Sequence, residues 1–252
     1  MEVSGKTIVI TGASRGLGQN MATTLAGRGA KLALVDLDEK ELQETEELCS
    51  KEGGEVRRYS ADVSAEADVQ SAFERIASDF GGIHGLINNA GTNRDGLLVK
   101  AKDGQIQTMS VDDFNKVVAV DLTGVFLCGR EAAVHMIRGD HGGVIINISS
   151  IARVGNVGQS NYAAAKAGVS ALTVTWAMEL ARYGIRVACI APGYSDTQMV
   201  QGIKSEMQDK IRKKIPLQRF GKPEEIGHSA LFIFENAYFH GRTLEVDGGL
   251  RI

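Results

Sequence analysis

A β-branched run, Lys6-Thr7-Ile8-Val9-Ile10-Thr11, leads without a break into Gly12-Ala13-Ser14-Arg15-Gly16-Leu17-Gly18. A helical stretch follows from about Leu17 to Arg28. Strand, glycine turn and helix in that order is the context a dinucleotide phosphate site requires. Missing side chains at Gly12, Gly16 and Gly18 allow a tight turn and close approach of a pyrophosphate. The helix start then offers unpaired N–H groups and the positive end of its dipole. The spacing here is G-x-x-x-G-x-G rather than the dinucleotide fingerprint G-x-G-x-x-G. Ser14, Arg15 and Leu17 fill the turn and are expected at the cofactor with the glycines.

The next strand, Lys31 to Val35, ends at Asp36. A carboxylate about 20 residues past the glycines is placed to accept from both ribose hydroxyls of NAD. It would repel the extra phosphate of NADP. Arg15 pulls the other way, since a guanidinium can pair with that phosphate. NAD(H) is therefore the favoured cofactor and NADP(H) the alternative.

Strand and helix patterns alternate along the rest of the chain. Strands are expected at Glu55 to Tyr59, His84 to Asn88, Gly143 to Ile148, Ile185 to Ala191 and Thr243 to Val246. Helices are expected at Glu39 to Glu52, Ala65 to Phe80, Val111 to about Arg138, Gln159 to Tyr183, Thr197 to Lys214 and Pro223 to Glu235. Thr92 to Ser110 is polar and reads as an irregular loop at the site mouth. The alternation predicts one α/β domain over residues 1–252: a doubly wound (Rossmann) parallel sheet of about seven strands, helices on both faces. The polar stretch around 194–216 reads as a mobile substrate lid. Ligands in such sheets bind outside the carboxyl ends of the strands. Asp62, Asn88 to Gly91, Ser149 and Pro192-Gly193 all follow strands, so they should gather with the glycine turn.

A length of 252 residues with 43% hydrophobic and 23% charged content suits one globular domain with a substantial core. A net charge of −3 implies no broad basic surface for nucleic acid. No apolar run approaches a membrane span. The start, Met1 to Lys6, lacks the apolar centre of a signal peptide. Cys49, Cys128 and Cys189 are odd in number and far apart, which suggests reduced thiols in a cytoplasmic protein. His84, His135, His141, His228 and His240 lack ligand spacing, so no metal site is expected.

Tyr162 and Lys166 stand four residues apart in Ser160-Asn161-Tyr162-Ala163-Ala164-Ala165-Lys166, and Ser149 precedes the tyrosine by thirteen. A spacing of four on a helix puts both side chains on one face, about 5–6 Å apart at Cβ. A free tyrosine is a poor acid–base catalyst near neutrality, and a nearby ammonium favours its phenolate. Taken alone such a pair is usually an amphipathic packing pair; its company elsewhere in the chain raises it.

These pieces together resemble the short-chain dehydrogenase/reductase family. The matching motifs are Thr11-Gly12-x-x-x-Gly16-x-Gly18, Asn88-Asn89-Ala90-Gly91, Ser149, Tyr162-x-x-x-Lys166 and Pro192-Gly193-x-x-x-Thr197. The resemblance implies that Tyr162 exchanges the substrate proton, that Lys166 binds the nicotinamide ribose and eases the tyrosine's ionisation, and that Ser149 holds the carbonyl oxygen. It implies that Asp62 and Val63 border the adenine, that Asn89, Ala90 and Gly91 line the middle of the cofactor, and that Thr197 meets the carboxamide. One position departs: Asp121 stands where the family usually has an asparagine that holds a relay water near the lysine. A carboxylate there can also bind water and would attract Lys166.

Within the family the chain is similar to 3-oxoacyl-acyl-carrier-protein reductases of fatty acid biosynthesis, through Thr92 to Leu98, Asn156 to Gly168 and Leu244 to Gly249. That implies reduction of a 3-oxoacyl thioester to the 3-hydroxyacyl thioester by hydride transfer, with Tyr162 as acid. It also implies a homotetramer and an acyl carrier protein or CoA as the thioester partner. Asp36, a long segment from Lys100 to Ser110, and Asp140 and Tyr183 in place of carrier-docking basic residues leave an alternative open. That alternative is an NAD-dependent dehydrogenase of a small secondary alcohol, polyol or steroid.

Overall fold

In the computed structural model, residues 1–202 and 204–251 are described, with the side chains of residues 198 and 199 left aside. The chain runs β1 (Thr7–Thr11), α1 (Gly16–Ala26), β2 (Lys31–Asp36), α2 (Gln43–Lys51), β3 (Val56–Ser60), α3 (Glu66–Phe80) and β4 (Gly85–Asn88). A hairpin of β5 (Val99–Lys102) and β6 (Gln105–Thr108) follows, then α4 (Val111–Val118), α5 (Val125–Arg138) and β7 (Gly143–Ile148). The rest is α6 (Ser160–Leu180), β8 (Ile185–Pro192), α7 (Gln198–Gln201), α8 (Ser205–Lys214), α9 (Pro223–Glu235) and β9 (Thr243–Val246).

Seven strands form one sheet in the order β3-β2-β1-β4-β7-β8-β9, and every neighbouring pair is parallel. The expected doubly wound sheet is thus present, with its strand order reversing between β1 and β4. The strands alternate their core faces. Ile8, Ile10, Leu32, Leu34, Val144 and Ile146 pack with Met21, Leu25, Ile226 and Phe234 of α1 and α9. Val9, Ala33, Val35 and Ile145 pack on the other face with Phe73, Leu127, Val169 and Trp176 of α3, α5 and α6. A strand buried on both faces must be apolar at successive positions, which is why β1 reads as an unbroken hydrophobic run.

Three local expectations change. Residues 92–110 are not wholly irregular, because β5 and β6 pair antiparallel around Asp103 and Gly104. Both turn residues have positive φ, 52° and 73°, as a two-residue hairpin turn of the right twist demands. The helix expected from Val111 to Arg138 is interrupted by a π-helical turn at Ala119–Gly124. The stretch expected as one helix from Thr197 to Lys214 is two shorter ones, α7 and α8.

Candidate active site

Gly12 adopts φ +64°, and a Cβ there would come within 2.8 Å of Ala90 Cα. Only glycine lets the first turn lie against the segment after β4. That contact is tied by side chains. Thr11 Oγ1 accepts from the N–H groups of Asn89 and Ala90, each at 3.1 Å. Asn89 Nδ2 donates to the carbonyls of Thr11 and Gly12, at 3.1 and 2.9 Å. Arg15 stands at the α1 N-cap and makes no side-chain capping bond, and no acidic residue sits in the first turn. The helix start therefore keeps donors for an incoming phosphate.

Asp36 reaches back to the same turn: Oδ2 accepts from Ser14 N at 3.1 Å and Oδ1 from Leu37 N at 2.9 Å. Arg15 has no ion pair among the described residues. Leu17 packs on the core beneath the turn. Asp62 Oδ1 accepts from the N–H and hydroxyl of Ser64, beside a buried Val63. Thr197 lies opposite the turn, its Cγ2 3.7 Å from where a Cβ of Gly16 would be. Pro192 closes β8, and Gly193 donates to Val246. The fold thus brings the sequence-predicted cofactor residues to the carboxyl ends of the strands.

Beside this cradle, Tyr162 and Lys166 share a face of α6, with Lys166 Nζ 5.5 Å from the tyrosine ring centre. Lys166 is only 3% exposed. Its ammonium donates to the Ile148 carbonyl at 3.1 Å and lies 3.1 Å from Oδ2 of the fully buried Asp121. The second contact is an ion pair without hydrogen-bond alignment, so Oδ2 carries no hydrogen-bond donor among the described residues. Oδ1 accepts from Thr92 N at 2.8 Å. Burial opposes the charge on Lys166, but the Asp121 carboxylate, with smaller help from Tyr162, more than offsets it and holds the ammonium above the usual lysine range.

The π-helical turn presents Asp121 here, a register that a plain helical reading of the sequence misses. A Cβ at Gly91 would sit 2.9 Å from Asp121 Oδ2 and 3.6 Å from Lys166 Nζ, so glycine leaves the room the pair needs.

Ser149 is 2% exposed. Its hydroxyl donates to the Lys166 carbonyl at 2.7 Å and lies 3.1 Å from Ser170 Oγ. A hydroxyl has one proton to give. In this arrangement it is committed to the backbone of α6. The next residue, Ser150, is half-buried; its oxygen accepts from Ala152 N at 3.1 Å, and its proton has no acceptor among the described residues.

Asn161 is a site residue that motif reading passed over. It is buried, its amide donates to the Arg94 and Asp113 carbonyls, and its oxygen accepts from Tyr162 N at 2.8 Å. It pins the start of α6, and with it the tyrosine, to the loop before the hairpin.

Residues 12–251 match the family model described as enoyl-(acyl carrier protein) reductase. Over its whole length the chain is 36% identical to all of the 3-oxoacyl-[acyl-carrier-protein] reductase FabG of Thermotoga maritima. This chain belongs to the short-chain dehydrogenase/reductase family. A human (3R)-3-hydroxyacyl-CoA dehydrogenase is 40% identical over 96% of this chain and 94% of its own. A solved short-chain type dehydrogenase/reductase from Mycobacterium marinum superposes with a TM-score of 0.87 at 31% identity, over 98% of this chain and 96% of that one.

As a member of this family the protein is an oxidoreductase that uses a nicotinamide cofactor. The uncapped α1 start, the Gly12 close approach and Asp36 at the turn fit such a dinucleotide. Among the described residues no helix is long and apolar enough to cross a membrane.

Proposed function

We propose that this reductase acts on a 3-oxoacyl thioester and forms the 3-hydroxyacyl thioester, with NADH as the preferred reductant. The buried Lys166 ammonium 5.5 Å from the Tyr162 ring centre carries the carbonyl chemistry. The names of the Thermotoga and human relatives support the acyl substrate. The nicotinamide, when bound, supplies the hydride.

Tyr162 donates the proton to the oxygen of the substrate ketone as negative charge develops there. The buried Lys166 ammonium stabilises the phenolate left behind and hydrogen-bonds the nicotinamide ribose. A serine hydroxyl completes the hole for the developing alkoxide. We place that role on Ser150 rather than Ser149, because the Ser149 proton is already given to the Lys166 carbonyl. Asp121 holds Lys166 in place and charged. Gly12, Ser14, Arg15, Gly16, Leu17 and Gly18 take the pyrophosphate. Asp36 takes the adenosine ribose, and Asp62 with Val63 borders the adenine. Asn89, Ala90 and Gly91 line the cofactor's middle. Pro192, Gly193 and Thr197 meet the carboxamide, with residues 194–216 as the substrate lid.

Asp36 supports NADH over NADPH, since a carboxylate fixed at the turn repels a ribose phosphate. The thioester carrier is CoA or an acyl carrier protein, and the working assembly is a homotetramer. Three free, buried cysteines fit a reducing compartment such as the cytoplasm.

The test is absorbance at the nicotinamide band with acetoacetyl-CoA, comparing NADH with NADPH. Rapid NADH oxidation supports both substrate class and Asp36. Oxidation of NADPH alone keeps the substrate and overturns the Asp36 assignment. Silence with both, while cofactor binds, overturns the thioester and redirects the search to secondary alcohols in the oxidative direction.

A further inference from the structure

The helix α2 is charged on its outer side, and its inward stripe, continued from the turn before it, is Leu42, Thr45 and Cys49. That spacing of three and four keeps the three side chains on one face. Leu42 and Cys49 join the core beneath β1 and β2. Thr45 is 0% exposed and brings a hydroxyl to the same depth. A hydroxyl buried that far needs partners.

A threonine inside a helix commonly returns its proton to a carbonyl three or four residues back. Thr45 gives it to the glycine turn instead. Its Oγ1 lies 2.9 Å from the Ala13 carbonyl oxygen and 3.2 Å from that of Ser14, so one proton is shared between the two. Gln19, half-buried on α1, closes the arrangement. Its amide donates to Thr45 Oγ1 at 3.1 Å and to the Ser14 carbonyl at 3.4 Å.

Two successive carbonyls of the turn are thus drawn toward α2. A trans peptide is planar, with its N–H directed opposite to its C=O. Drawing the Ala13 carbonyl toward α2 sends the Ser14 N–H the other way, where it meets Asp36 Oδ2 at 3.1 Å. Drawing the Ser14 carbonyl toward α2 sends the Arg15 N–H away from α2 by the same geometry. That N–H has no acceptor among the described residues, and Arg15 is the N-cap of α1. Released from Thr45, either carbonyl could swing to the phosphate side and set its negative end against an anion.

We propose that Thr45, seconded by Gln19, is a positioning residue for the dinucleotide. By holding the Ala13 and Ser14 carbonyls back, it aims the Arg15 N–H and the start of α1 at the pyrophosphate. The proposal rests on the reading of the glycine turn as the phosphate site.

The experiment is titration of the whole protein with NADH, followed by nicotinamide fluorescence. Thermal midpoints are measured alongside, without NADH and at one fixed NADH concentration. Thr45→Val keeps the shape and removes the hydroxyl, whereas Thr45→Ser keeps the hydroxyl. The dissociation constant should rise about tenfold in Thr45→Val, the scale of one hydrogen bond to a charged group. In Thr45→Ser it should stay within about twofold of the parent. The midpoint gain at the fixed NADH concentration should shrink in Thr45→Val and return in Thr45→Ser. Gln19→Met removes the second donor to Ser14 without touching Thr45, and should weaken NADH about threefold. A Thr45→Val protein that melts earlier yet binds NADH as the parent does overturns the proposal and leaves Thr45 a packing residue. Equal weakening in Thr45→Val and Thr45→Ser also overturns it, because the hydroxyl would not be the cause. Should Thr45→Val not fold, unchanged NADH affinity in Gln19→Met overturns it. A parent that takes up no NADH overturns the phosphate reading of the turn, and the proposal with it.

Discussion

The Oδ2 oxygen of Asp121 lies 3.1 Å from Nζ of Lys166, and neither side chain is open to solvent. Each charge is tolerable there because of the other. Asp121→Asn keeps an acceptor for Thr92 N and removes the charge that holds the ammonium. The lysine then loses its proton at a lower pH, so the alkaline limb of the pH–rate profile should move down. The sign on stability agrees. A lysine raised in the folded state contributes fully below its unfolded value of about 10.4. That contribution fades as pH rises through the folded value, and sooner in the variant. Superimposable alkaline limbs would show that Asp121 does not set the lysine's charge. Asp121→Leu strands the ammonium and should cost about 3–5 kcal/mol in denaturant unfolding.

Tyr162→Phe removes one oxygen and keeps the ring beside Lys166. Turnover should fall by about 10²–10⁴, the usual worth of a positioned acid. The dissociation constant for the nicotinamide cofactor, read by fluorescence, should stay within about twofold of the parent. Near-normal turnover in this variant would remove the tyrosine from the chemistry.

The two serines should separate cleanly. Ser150→Ala should lower kcat by about 10²–10³ with little change in thermal midpoint, as expected for loss of an oxyanion donor. Ser149→Ala should cost about 1 kcal/mol of stability through the lost bond to Lys166 O, and it should touch kcat less. The opposite pattern would return the carbonyl-holding role to Ser149.

That distinction shows where sequence reading reaches its limit. The β1 run, the glycine turn and Asp36 were legible because a strand, a turn and a helix start are local events. Each carries its signal within a few residues. Ser149 precedes Tyr162 by thirteen residues, and a spacing of that kind carries no side-chain direction. Alternation along β7 held the missing signal: Ile145 faces the core beside α6, Asn147 bonds Thr173, and Ser149, two further on, bonds the α6 backbone. The hairpin had its own signal in Asp103-Gly104 between short alternating runs, hidden by a polar composition that resembles a loop. The π-helical turn that delivers Asp121 leaves no comparable mark, because one extra residue in a turn changes register and not composition.

Asp36→Asn keeps the acceptor for Ser14 N and deletes the charge that faces a ribose phosphate. The ratio of kcat/KM for NADPH over NADH should rise about tenfold or more, on the scale of one charged contact. Arg15→Ala should move the ratio the other way in the same assay. A ratio unmoved by Asp36→Asn would place cofactor choice elsewhere in the turn.

His84 offers a test of stability far from the chemistry. Its ring stacks on His141 at 4.3 Å, and its Nδ1 accepts from Thr7 N at 3.3 Å, a bond that needs this nitrogen unprotonated. Burial, then the neighbouring His141 and Lys6, pushes its pKa down to about 4. The unfolded chain takes up the proton near 6.5, so between these values it binds more protons than the folded protein. Stability should therefore fall as pH drops from about 6.5 toward 4. His84→Asn retains an acceptor for Thr7 and removes the titration. Urea midpoints measured from pH 7 to 4 should fall more steeply for the parent than for the variant. Equal slopes would mean that His84 takes up its proton as readily folded as unfolded.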